Sequence, residues 1–533
     1  MSIIGKYRTR MTAVCGPLML SAVLLLTGCG AQKQEAAGKA EPVAIQAEEK
    51  KEEMKKITVI RNFKAGSLDP HNSWETLRAG VVETLVRIDE NLVLKPWLAT
   101  SWENRDELTW VFTIRDGVTF QDGAKLDAAA VKASFERGMA ASENLAKALK
   151  IASMEANGQE LTIITTQPHA ALPSELVNPY ASVISVEAEK KMGTEAFNNA
   201  PVGTGPFTVK SFTPDIEIQL ERYDKYWDGK AKINEVTFKF NEDPNVRALA
   251  LQSKEADIVY SIPSETIDAI KQDTELAVES VPGLRVHFLL YNEQKPLLQD
   301  VKVRKAFDLL LNRDSIAHDI MLGNGTPANG PFNMKLPFAN QEPVTAFNPT
   351  EAKKLLLEAG FTEGPDGKLM KDGKPLSMEI ITYKARPELP LIAQLLQSDA
   401  AKIGVAIKIK TVENADTYSR EKKDWDILTY SNLAAPRGDA GYFLNSALMP
   451  EGSLNAAGIE INELSQIVME LNATSDLDRR VKLAREAVKI INQEIPHSYA
   501  VFPNLIVGVN KRVVDWKPGA EEYYMVTNKM DVK

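Results

Sequence analysis

The sequence predicts an α/β protein whose roughly 480 folded residues exceed what one hydrophobic core accommodates, so two or three packed units are expected. Three observations carry the prediction. Residues 109–114 alternate large apolar and smaller side chains with the period of a strand. Apolar residues recur at helical spacing in 128–135, 301–310 and 462–491, and β-branched strands return between these helices to the end of the chain. Beyond the first 28 residues no apolar run approaches the length needed to cross a bilayer.

The N-terminal residues read as a targeting segment. Lys6, Arg8 and Arg10 precede an apolar core at 18–26 that is too short to span a membrane, and the segment closes on Leu26-Thr27-Gly28-Cys29. That closing pattern matches the bacterial lipobox. It implies a signal peptide at 1–28 and acylation of Cys29 as the first mature residue, so the protein is expected at the extracytoplasmic face of the cell membrane, held there by lipid. Residues 29–56 are rich in Ala, Glu and Lys, and they read as a flexible tether.

Composition excludes several functions. Cys15 and Cys29 are the two cysteines, so the folded part carries neither a disulfide nor a thiolate metal site. Loss of residues 1–28 removes Lys6, Arg8 and Arg10 and no acid, taking the formal net charge from −9 to −12 and arguing against a nucleic-acid surface. With five histidines, no HExxH and no GxSxG, the chain lacks the acid–base and nucleophile patterns of an enzyme.

The folded part opens on a strand at 57–60 and turns at Ser67-Leu68-Asp69-Pro70-His71, with Trp74 just beyond. In 94–137, Trp110, Phe112 and Ile114 share a strand face, Asp116-Gly117 and Asp122-Gly123 supply turns, and Asp127 caps a helix carrying Ala130, Val131 and Phe135. Val202-Gly203-Thr204-Gly205-Pro206-Phe207 looks like a phosphate loop but lacks the following Lys-Ser or Lys-Thr, so it reads as a tight crossover into the aromatic block at 221–230. His287 lies within an apolar strand and His318 on a helix beside Asp319; both read as structural. A strand at 378–382 turns through Tyr383 and Arg386 into a helix with Ile392, Leu395 and Leu396, and a further strand ends at Tyr430. Pro496-His497 returns the chain from two amphipathic helices into a last strand.

Taken in order, Leu98-Ala99-x-Ser101-Trp102, Trp110-x-Phe112-x-Ile114-Arg115, Phe120-x-Asp122-Gly123 and the block from Glu221 to Lys230 resemble family 5 of the bacterial extracellular solute-binding proteins, which capture peptides or nickel for ATP-driven importers. The resemblance implies a two-lobed, periplasmic-binding-protein-like fold (type II, cluster C) with a hinge and an interlobe ligand cleft. Lobe I is expected at 57–287 and 500–533, with an inserted subdomain, and lobe II at 288–499. Implied partners are the permease and ATPase subunits of an ABC importer, with a monomeric receptor and no catalytic cofactor.

Within that expected fold His71 and His497 fall on cleft segments and are candidates for a pair of metal-binding imidazoles. Arg386 lies beyond a strand end, where its planar fork suits a ligand carboxylate, and Trp74, Tyr430 and Tyr442 are the other expected contacts. Peptide-binding relatives carry an Asp where this chain has Pro436, although Asp439 stands nearby in what reads locally as a turn. Enteric nickel-binding relatives carry a His where this chain has Gly441. The expected guest is Ni²⁺ chelated by histidine or an opine-like metallophore, with a di- or oligopeptide as the alternative.

Overall fold

A computed structural model describes residues 54–474 and 476–533; the expected signal peptide, Cys29 and nearly all of the tether lie outside the described residues. Among the described residues no helix is long and apolar enough to cross a membrane.

One continuous ladder organises the molecule. Its strands are β1 (Lys56–Arg61), β2 (Phe207–Thr213), β3 (Glu217–Arg222), β4 (Glu235–Phe240), β5 (Ile258–Tyr260), β6 (Leu276–Pro282), β7 (Arg285–Tyr291), β8 (Ser377–Thr382), β9 (Ala406–Thr411), β10 (Ile427–Leu433) and β11 (His497–Asn510). The order is β9-β8-β10-β7-β11-β5-β1-β4-β3-β2, with β6 and the short Gly325–Pro327 strand also pairing β11. In one half β1 runs parallel to β4 and β5; in the other β8 runs parallel to β9 and β10. Helices cover these sheets, as parallel strands buried on both faces require. One of them, Glu388–Ala401, buries Leu389, Ile392, Ala393 and Leu396.

Two large cores follow from this layout, with a smaller third around Ile60, Leu251, Val259 and Ile506. One gathers Phe112, Phe135, Phe207, Phe238 and Val507, and the other Phe288, Phe307, Ile380, Trp425 and Phe443. The two-lobed α/β architecture expected from sequence is therefore what the chain adopts. β11 belongs to both lobes: residues 504–510 pair β6, and residues 497–501 pair β7. The change of partner falls at Gly283–Leu284 and near Pro503, so the expected boundaries at 287/288 and 499/500 lie inside continuous strands. Gly283 is the residue this crossing demands, because a Cβ there would come within 2.8 Å of the Pro503 carbonyl oxygen.

A separate four-stranded sheet has as one of its two central strands Thr109–Ile114, which buries Trp110, Phe112 and Ile114 as expected; Val111 on the opposite face is buried as well, so the alternation is not a clean inside–outside one. Asp127 caps the next helix by accepting from the Ala130 amide. The two distinctive motifs meet at a residue that pattern reading overlooked. Glu83 is buried and accepts from Thr204 Oγ1 (2.7 Å), the Tyr226 hydroxyl (2.6 Å) and Trp227 Nε1 (2.9 Å). The Gly203–Gly205 turn lies directly on backbone: a Cβ at Gly205 would meet the Gly80 carbonyl oxygen at 2.3 Å. The crossover reading of 202–207 holds, and its glycines serve chain packing.

Candidate functional site

The parallel strands of both lobes direct their C-terminal ends at the seam between them, the place where open α/β sheets bind ligands. From lobe I, β1 delivers Arg61, Asn62 and Phe63, with Trp74 and Arg78 following. From lobe II, β8 delivers Tyr383 and Arg386, β9 leads to Asp416, and β10 to Arg437 and Tyr442. A turn near the C-terminus adds Glu522 and Tyr523.

Trp74 packs against both cores, edge-on to Tyr180 (6.0 Å between centroids) and Tyr523 (5.6 Å), with the Arg78 guanidinium 4.9 Å from its ring centre. Tyr430 stands between Phe288 and Tyr383, and its hydroxyl donates to Asp416. Arg437 covers Tyr442 at 4.5 Å. Burial raises the hydroxyl pKa of Tyr430 and Tyr442, so both act as neutral donors in the seam.

Arg386 is buried and reaches Ser261 Oγ at 3.3 Å and Glu522 at 3.8 Å, while its Nε has no partner. It pairs neither Glu388 nor Asp399; Asp399 is held by Lys402. Arg285 grips Glu522 through Nε (3.1 Å) and Nη2 (3.2 Å). Burial pushes the Glu522 carboxyl up, but Arg285 and Arg386 outweigh it and hold the group well below the usual carboxylate range. Glu75 likewise serves two guanidinium groups, Arg78 at 2.6 Å and Arg61 at 3.7 Å. The paired network thus has more arginines than carboxylates. Farther along the seam Arg437 bonds Glu175.

The two candidate imidazoles do not converge. His71 is fully buried; its Nε2 lies 3.1 Å from the Ser182 carbonyl oxygen and its Nδ1 3.0 Å from Arg137, whose charge is itself held by Asp69 and Glu189. Burial, and after it Arg137, lowers the ring pKa to about 4. His497 sits among Phe288, Phe443 and Tyr499 with Nδ1 3.2 Å from the Tyr499 hydroxyl, and burial lowers its pKa to about 3. The contacts of the two rings share no residue. Among the described residues no group of three or more His, Cys, Asp or Glu is arranged to hold a metal ion.

Sequence reasoning did not find Arg285, Arg437, Glu175, Glu522 or Tyr523. Glu522 and Tyr523 lie in a stretch without periodicity, where the only clue is a pair of acids beside two tyrosines. Asp439, the candidate for a peptide amine, is held by Arg480 and by the Gly441 amide.

Residues 93–454 match the bacterial extracellular solute-binding proteins, family 5 Middle. The nickel-binding protein NikA of Staphylococcus aureus is 31% identical over 95% of this chain and 97% of its own length. The glutathione-binding protein GsiB of Salmonella paratyphi A is 27% identical over 86% and 90%. Among solved structures, S. aureus NikA in complex with Ni(L-His)2 superposes with a TM-score of 0.83, covering 90% of this chain and 100% of that one. A nickel ABC transporter structure from Bacillus halodurans is 44% identical, with a TM-score of 0.70 over 90% and 100%. The two cores, the strand that joins them and the seam between them are therefore those of a known group, and the chain belongs to family 5 of the bacterial extracellular solute-binding proteins.

Proposed function

We propose that this protein is the substrate-binding subunit of an ABC importer, lipid-anchored through Cys29, and that its guest is nickel carried as a chelate by small carboxylate-bearing molecules such as histidine. The observation that carries this reading is the state of the seam's charges. Glu75, Glu175, Glu522 and Asp439 are all taken by arginines, and Glu75 and Glu522 by two each. A peptide's ammonium group finds no arginine-free partner among them. Within the Glu75 and Glu522 groups guanidinium outnumbers carboxylate two to one, and this excess, with unpartnered Nε atoms on Arg386 and Arg437, instead favours a guest that presents carboxylates.

Arg386 takes a chelator carboxylate, Trp74 and Tyr442 form apolar walls, and the Tyr430 hydroxyl supplies a neutral contact. His71 and His497 have no part in this reading, because their rings are buried apart: both His71 nitrogens are engaged, and His497 meets Tyr499 through Nδ1 while its buried Nε2 has no partner. The likeness to NikA proteins supports the choice of cargo. The receptor hands its guest as a monomer to the permease and ATPase subunits.

A peptide is the second reading, and Asp416 is what favours it. This exposed carboxylate accepts from the Tyr430 hydroxyl and has no arginine or lysine pair among the described residues. Calorimetry decides between the two: nickel chloride with excess L-histidine is expected to bind one complex per protein, and short alanine peptides not at all. Peptide binding that is lost in Asp416→Asn, with no nickel–histidine binding, would reverse the assignment.

A further inference from the structure

We propose that Arg437 and Glu175 form a latch that shuts the cleft without help from a guest, and that opening of this latch limits guest release. Glu175 ends the short helix Leu172–Glu175 of lobe I, and Arg437 lies in the loop after β10 of lobe II. The guanidinium Nη1 donates to Glu175, and burial, which would weaken Arg437 as a cation, is outweighed by that carboxylate. A second bond crosses the seam in the opposite sense, from Ser174 Oγ of lobe I to the Arg437 carbonyl oxygen of lobe II at 2.9 Å.

The neighbouring backbone is shaped to this contact. Gly438 has φ +72°, and a Cβ there would stand 2.5 Å from the Leu92 carbonyl oxygen of lobe I, so the loop rests main chain on main chain. Asn472 adds a carbonyl oxygen 3.4 Å from the Ala170 amide. These bonds join lobe I to lobe II directly, protein atom to protein atom. Opening exposes Arg437, which is 2% accessible, together with Glu175, and breaks every one of them at once.

The latch also touches the candidate site. Arg437 lies over Tyr442 and beside Tyr523, so the group that closes the cleft also sets two of its walls. Arg437 is in this sense a positioning residue. A guest gains entry only while the latch is open, and the apparent affinity follows the fraction of time it is. The inference rests on the two-lobed seam and does not depend on the cargo.

The test combines small-angle X-ray scattering with stopped-flow release, using nickel chloride plus L-histidine as the probe and EDTA as the trap. Wild type, Glu175→Gln, Arg437→Lys and Ser174→Ala are compared, with thermal melts to confirm folding. Wild type without probe is expected to be compact. Glu175→Gln, which is isosteric and uncharged, should show a larger radius of gyration without probe, recover the compact value with it, and release nickel at least tenfold faster. Ser174→Ala, which removes one bond only, should show the same changes to a smaller degree.

Equal radii for wild type and Glu175→Gln without probe, or a wild type that is already expanded, would overturn the latch. A Glu175→Gln protein that expands while no variant binds nickel–histidine would uphold the latch and remove the nickel assignment instead.

Discussion

Arg480 holds both carboxylate oxygens of Asp439, with Nη2 at 2.7 and 2.8 Å and Nε at 3.0 Å. The clamp lies inside lobe II, and it turns an acid that sequence offers as a ligand group into a structural one. Asp439→Asn should leave nickel–histidine affinity within twofold of wild type and lower stability by about 2 kcal/mol, since one partner of a largely buried pair is lost. Urea unfolding and calorimetry on the same preparation check both halves.

Arg386 is expected to behave differently. Its Nε is an unpartnered donor in the seam, and the lobe I contacts of its terminal nitrogens are long, at 3.3 and 3.8 Å. Arg386→Met should weaken nickel–histidine by about tenfold to a hundredfold, the range expected when a charge-assisted bond to a carboxylate is lost. Nickel offered with imidazole, which has no carboxylate, should bind weakly to wild type and variant alike.

The buried histidines set an acid limit on stability. The ordinary pKa of 6.5 falls to about 4 for His71 and about 3 for His497 in the folded protein. The unfolded chain then binds protons that the folded chain refuses. Stability from these rings is complete above pH 6.5 and is lost as pH falls through 6.5 towards the folded values. His497→Phe, which suits a ring already 4.7 Å from Phe288, should lose about 2 kcal/mol less than wild type between pH 7.5 and 4.5 in denaturant titrations. Nickel–histidine affinity at pH 7.5 should not change.

Glu83 works in the opposite sense. Burial raises its pKa to about 7, so the folded state binds a proton that the unfolded carboxylate has released above 4.5, and stability from this group falls as pH rises from 4.5 to 7. Glu83→Ala should cost about 3 kcal/mol or more at any pH, because Thr204, Tyr226 and Trp227 lose their shared acceptor. Thermal unfolding in buffers from pH 5 to 8 reads both effects.

What was legible in the sequence was local and periodic. The Trp110–Ile114 strand, the Asp127 cap and the crossover at 202–207 are set by neighbours along the chain, and all three appear as read, save that Val111 is buried on the strand's other face. The two-lobed fold was legible through motif order, yet the crossing at Gly283 was not, because the residue's role comes from Pro503, more than two hundred positions away. The seam was harder still. Arg386, Trp74, Tyr430 and Tyr442 stand out as candidates because they lie beside recognisable strand ends, but Glu522 has meaning only through Arg285 and Arg386. His71 looked available because it follows a proline in a polar turn; nothing nearby in sequence announces that Arg137 and Ser182 close over it.

β11 has a mechanical consequence. A single 14-residue strand runs unbroken from one lobe to the other, and β6 and β7 follow the same course beside it. Such a ribbon flexes readily across its flat face and resists shearing or twisting. The halves should therefore swing like the covers of a book about one spine, so that whatever docks on the outside meets two faces whose spacing, and little else, reports whether cargo is aboard.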